Sequence, residues 1–301
     1  MKSQRKAGKA VILYVLGVVC LFGINLENNL VRVGRGLDED PKKKDSKRPI
    51  MHTFYEPITA KGFDGASRDP PMMQVWKDEW KKAGFDIKVL TLDDAKKHPD
   101  FETMEIAVKK PFPTDTYNQL CFYRYLAMAA DGGGWMSDID TFPTHFPIEE
   151  AMTLPNNGKF TSFQGHVPGL LSASADEWTR VANIMVEDIP TSKQGHPSDM
   201  MILLDLYQQG THDIDFKWRG DVSKPSLIYK EAHKVDCERM KQGRAIHMSH
   251  HSLAGVFKSG IYPIEATWPL EGKERAEGAR AIMNEWREQC GGSSFPHVEK
   301  A

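Results

Sequence analysis

Two aspartates one residue apart, Asp138 and Asp140, close the apolar string Trp135-Met136-Ser137-Asp138-Ile139-Asp140. Side chains two apart on a strand share a face, so a strand here makes the carboxylates converge while Ile139 turns into a core. Converging carboxylates repel unless a cation lies between them or one takes a proton. Oxygen ligands with open positions suit Mg2+ or Mn2+ bridging a diphosphate. Asp-x-Asp alone recurs by chance, so the residues before it matter. Thr116 to Ala130 reads as a helix with Leu120, Cys121, Arg124, Ala127 and Met128 on one face and Phe122, Tyr125, Leu126 and Ala129 on the other. A helix apolar on both sides is buried. Arg124 therefore is paired, faces an anion, or packs its stem and lifts its head to water. Gly132-Gly133-Gly134 then permits a sharp turn or a close approach to a ligand.

Other groups have two readings each. His247, His250 and His251 put three histidines in five residues, either as surface side chains or as metal ligands. Asp199 follows the good N-cap Ser198, so it serves the helix dipole or a site. Phe54 and Tyr55 end an apolar run and are either core or a platform for a nucleotide base. Trp76 and Trp80, spaced i, i+4, are read as core.

These residues need a scaffold. Strands are expected at residues 50–55, 85–90, 135–139, 159–164, 169–173 and 245–249. Helices are expected at 73–82, 116–130, 176–187, 198–208 and 272–288. Their alternation predicts an α/β domain with a mixed, mostly parallel sheet and helices on both faces, spanning 50–301. Lys2, Arg5, Lys6 and Lys9 precede the uncharged run Ala10 to Leu26. That pattern predicts a cytosolic tail at 1–9 and a transmembrane signal anchor at 10–26, with a cleaved signal peptide and then a core helix as the alternatives. Residues 27–49, with Asp38 to Pro49 almost all charge and proline, read as a stem.

The chain has 301 residues, is 40% apolar and carries a net charge of −2, which excludes wholesale disorder and gives no basic surplus for nucleic acid. Four cysteines without a CxxC pair exclude a disulfide scaffold and a common zinc site, and leave the pairing of Cys237 with Cys290 open. No phosphate loop, dinucleotide fingerprint, HExxH or nucleophile elbow is present.

The segment Tyr117 to Pro143 resembles the DXD glycosyltransferases of family 32, which holds the yeast initiating mannosyltransferase and capsular polysaccharide transferases, and which is related to the sugar-transferring domains of clostridial toxins. Their pattern is roughly Asp-x-x-Arg-Tyr, a helix, then Gly-Gly-x-Tyr-x-Asp-x-Asp. Arg124-Tyr125, Gly133-Gly134 and Asp138-Ile139-Asp140 match it. The resemblance implies a GT-A-like fold, a nucleotide diphosphate sugar donor, a glycan or glycoconjugate acceptor, Mn2+ or Mg2+, and retention of anomeric configuration. It implies that Asp138 faces the donor's ribose or sugar, that Asp140 binds metal, and that Arg124 contacts the donor. A late residue completes the metal shell, so the expected set is Asp138, Asp140 and His250, with His247 second choice. Arg124 and Asp199 are the expected catalytic residues, and Phe54, Tyr55, Arg124 and Asp138 the donor contacts. The implied setting is a single-pass type II protein of the Golgi or early secretory membrane with a luminal catalytic domain. Three departures stand out: Cys121 for the pattern's Asp, Met136 for its Tyr, and one extra residue before the glycine pair. The first two leave open a catalytically idle sugar-binding or scaffolding protein, against which the intact Asp138 and Asp140 argue, and a metal-dependent phosphoesterase is a third reading.

Overall fold

The structure is a computed structural model that describes residues 48–58, 65–189, 198–210, 212–217, 221–231, 234–258 and 272–291. The expected tail and span, and the stem up to residue 47, lie outside them. Among the described residues no helix is long and apolar enough to cross a membrane.

β1 (Ile50–Phe54) leads to α1 (Gly65–Lys82) and β2 (Asp86–Leu90). Then come α2 (Leu92–Ala95), α3 (Phe101–Lys109), α4 (Thr116–Ala130) and β3 (Gly133–Ser137). β4 (Thr141–Pro143), α5 (Ile148–Ala151), β5 (Thr161–Ser162) and β6 (Leu170–Ser174) precede α6 (Ala175–Asp188) and α7 (Asp199–Gln209). β7 (Asp215–Phe216), β8 (Val222–Ser223), α8 (Pro225–Ile228), β9 (Tyr229–Glu231) and β10 (Lys234–Val235) follow. α9 (Cys237–Gln242), β11 (Ala245–His247), α10 (His250–Lys258) and α11 (Gly272–Cys290) end the described chain.

Capping explains the sharp helix starts. Asp115 accepts from Asn118 N at 3.0 Å to open α4, and Ser198 accepts from Met201 N at 3.4 Å to open α7.

The main sheet runs β2-β1-β3-β6-β5-β7. β1 is parallel to β2 and β3, and β5 is parallel to β7, whereas β6 opposes both its neighbours. The sheet is thus mixed, with β6 alone reversed. The chain between β5 and β6 is too short for a crossover, so those strands must meet antiparallel.

Apolar side chains fill both faces. Met51, Trp135 and Leu170 join a core with α1 and α11, while Met136, Leu171 and Ala173 join one with α4 and α6. A second sheet, β4-β11-β8, stands beside the first. Cys237 and Cys290 form a disulfide that ties α9 to the end of α11.

Candidate metal centre

α4 delivers the chain to β3 through the glycine run. A Cβ on Gly133 would lie 2.5 Å from Ala175 N and 2.7 Å from Ser174 C, and its φ is +78°. Glycine here serves both a turn and a close approach, and the neighbour approached is the protein's own β6–α6 junction.

β3 ends at Ser137, opposite Leu170, the first residue of β6. The chain then turns, with Asp138 N donating to Gly169 O and Thr141 N donating to Asp138 O, at 3.1 and 3.0 Å. The strand expected through Ile139 is therefore corrected. Its partner strand runs out, and a turn rather than a pleat brings Asp138 and Asp140 together. Two buried indoles of α1 hold its flanks: Trp76 Nε1 donates to Ser137 Oγ at 2.8 Å, and Trp80 Nε1 to Thr141 O at 3.0 Å.

The second sheet supplies the histidine. β11 pairs with β4 so that His247 lies opposite Thr141, and Met248 N donates to Asp140 O at 2.7 Å. Ligand atoms of Asp138, Asp140 and His247 all lie within 4.8 Å of one another. His247 takes the place expected for His250. β11 stops at His247, and His250 starts α10, outside the group. His247 Nε2 lies 3.3 Å from Asp140 Oδ1, while Nδ1 lies 2.9 Å from Gln164 Oε1. With its proton on Nδ1 donated to that amide oxygen, the ring offers Nε2 to a cation. The donor set of two carboxylates and one imidazole fits Mn2+ and, with more oxygen ligands from solvent or substrate, Mg2+.

The electrostatics are those of a partly buried mixed-charge cluster. Burial pushes the Asp138 carboxyl up against the pull of Arg124, and the Asp140 charge pushes it further. Burial also acts to raise Asp140, but His247, through its charge and hydrogen bond, and then Arg275 outweigh it and hold Asp140 at about 2. For His247, burial lowers the pKa, yet the charge of Asp140 and its hydrogen bond win and raise it.

Arg124 is buried, so the solvated-head reading fails. Nη1 donates to Asp138 Oδ1 at 2.7 Å and Nη2 pairs with Asp199 Oδ2. Asp199 also accepts from Met200 N at 2.7 Å, so one carboxylate serves both the start of α7 and the arginine. Met51 and His52 lie opposite Trp135 and Met136, so Phe54 and Tyr55 follow on beside the end of β3. Phe54 packs on one core and Tyr55 on the other.

The two substitutions among the three departures from the DXD pattern differ in kind. Met136 is buried in the α4–α6 core, so its side chain packs and does not border the centre. Cys121 is half-buried, and burial, followed by the charge of Asp199, pushes its thiol well up, so it stays protonated.

Sequence reasoning passed over two residues. Gln164 orients His247. It also explains Gly169, where an added Cβ would collide with Gln164 Oε1 and lie 3.1 Å from His247 Nδ1. Arg275, on α11, places Nη2 2.9 Å from Asp140 Oδ2. Neither stands at a spacing that signals a site.

No protein-family model and no curated protein matches the chain. Among solved structures it resembles a glycosyltransferase involved in the glycosylation of the major capsid of PBCV-1, with TM-score 0.42 and 11% identity over 77% of this chain and 98% of that one.

Proposed function

We propose that the protein is a metal-dependent glycosyltransferase of the family 32 type with a GT-A-like catalytic domain. It moves a hexose from a nucleotide diphosphate sugar to a hydroxyl of a glycan or glycoconjugate, with retention. The observation that carries this reading is the convergence of Asp138, Asp140 and His247 at the carboxyl end of β3, where α/β sheets bind ligands. Mn2+ or Mg2+ held by these residues would neutralise charge on the leaving diphosphate.

The chain's own groups do the rest. Arg124 fixes Asp138 toward the donor, and Gln164 fixes the His247 ring. Phe54 and Tyr55 border the path a base would take. In the reaction the anomeric carbon's bond to the diphosphate oxygen breaks, its bond to the acceptor oxygen forms, and the hydroxyl proton is released. The proposed setting is luminal, with residues 10–26 as a type II anchor in the Golgi or early secretory membrane. The Cys237–Cys290 disulfide supports an oxidising compartment.

The test is release of nucleoside diphosphate from a panel of sugar donors with Mn2+, with Asp140→Asn as control. Turnover of one donor, lost in the control, is the expected result. A catalytically idle sugar-binding protein is favoured by the arginine already seated on Asp140, and it would bind a donor without releasing product.

A further inference from the structure

Each carboxylate of the Asp138/Asp140 pair already has an arginine against it. Arg124 Nη1 is 2.7 Å from Asp138 Oδ1, and Arg275 Nη2 is 2.9 Å from Asp140 Oδ2. The two arginines differ in what else they touch. Arg124 is also bound to Asp199 from behind, so it stays where it is with or without a cation in front. For Arg275, the partner the structure gives is Asp140 alone, and no second carboxylate is seen behind it among the described residues; the buried Nε of either arginine lacks a hydrogen-bond partner there.

α11 holds that guanidinium in place. Trp286 and Met283 are buried in the core, Gly278 lets the Phe257 ring of α10 press directly on the helix, and Arg287 pairs with Glu79 at 2.5 Å. Arg275 is 9% exposed, so its charge is poorly screened.

We propose that Arg275 is an internal counter-ion of Asp140 that a divalent metal must compete with, so that the metal binds weakly alone and tightly together with a diphosphate. The proposal rests on the metal-centre reading above. A dication arriving alone finds both carboxylates compensated. A diphosphate brings the missing negative charge, and Arg275, released from Asp140 or shared with it, has donors to offer the phosphate oxygens. Arg275 thereby becomes a donor-side residue that no motif marks.

Mn2+ binding to the full-length protein in detergent tests this, read from the free-ion electron paramagnetic resonance signal. Mn2+ is titrated alone, with UDP and with GDP. The wild-type protein is expected to bind Mn2+ at least tenfold more tightly with one of the nucleotides. Arg275→Gln should bind Mn2+ alone at least tenfold more tightly than wild type, about 1.4 kcal/mol, and gain little from nucleotide. Arg275→Lys, which keeps a charge on a shorter reach, should fall between and covers the case in which the glutamine variant fails to fold. Wild-type Mn2+ affinity in a folded Arg275 variant overturns the counter-ion role. Asp140→Asn separates the two readings. Loss of Mn2+ binding there upholds the metal centre whatever Arg275 does, and retained binding overturns both.

Discussion

Arg124 and Asp138 sit 2.7 Å apart, the arginine on α4 and the aspartate in the turn just past β3, and Asp199 closes the guanidinium from the far side. Breaking a buried pair by removing one partner costs about 3–5 kcal/mol, because the other charge stays buried. Arg124→Met strands two carboxylates and should lose stability on that scale in denaturant unfolding. Adding Asp199→Asn should restore part of the loss, as coupled neighbours do in a double-mutant cycle. Additive losses would show that the pair does not couple.

Asp140→Asn should reduce donor turnover at least about 100-fold, the size of a lost key electrostatic contact. Relief of repulsion between two carboxylates would raise its melting temperature. The structure predicts a fall instead, because the buried Arg275 loses the negative charge it pairs with. Calorimetry of both proteins without metal decides the sign.

Gln164→Leu removes the acceptor that holds the His247 ring. Loss of such an orienting partner costs about 10–100-fold in metal affinity. Mn2+ titration should show this drop with little change in unfolding, since Gln164 is only partly buried.

Glu177 gives a pH-dependent test of the sheet edge. Its hydrogen bond from Arg180 lowers its pKa below 4.5, and it also accepts from Phe160 N at 3.0 Å beside β5. A depressed carboxylate pKa adds stability that is present above the unfolded value and lost as pH falls through the folded one. Glu177→Gln should therefore be less stable than wild type near pH 7, with the gap closing below pH about 4.5. A gap that is the same at pH 3 and pH 7 would exclude this linkage.

If residues 10–26 span a membrane, full-length protein should stay in the pellet after alkaline carbonate washing. A chain starting at Lys47 should remain in solution, because Lys47–Ala301 is one compact unit. Release of a form processed near residue 23 would favour a cleaved signal peptide.

Local patterns made much of this fold legible. The boundaries of α4 came from apolar periodicity, and Asp115, its cap, stands just before them. β1 and α7 were read within a residue or so for similar reasons. What depended on distant pairing was hidden. The turn at Asp138, and His247 in place of His250, follow from where partner strands end. Gln164 and Arg275 reach the centre from 83 and 135 residues away from their partners, a distance no spacing rule covers.

The two indole bonds of α1 have a consequence for loop length. Trp76 and Trp80 are four residues apart, and so are Ser137 and Thr141, the groups they bind. Four residues of helix rise only about 6 Å, against about 13 Å for an extended chain. The helix pitch thus acts as a ruler for the segment that carries both aspartates. Inserting or deleting one residue between Ser137 and Thr141 would put one indole out of register. Sequence change at this loop is therefore confined to substitution, with its length copied from a helix on the other side of the core.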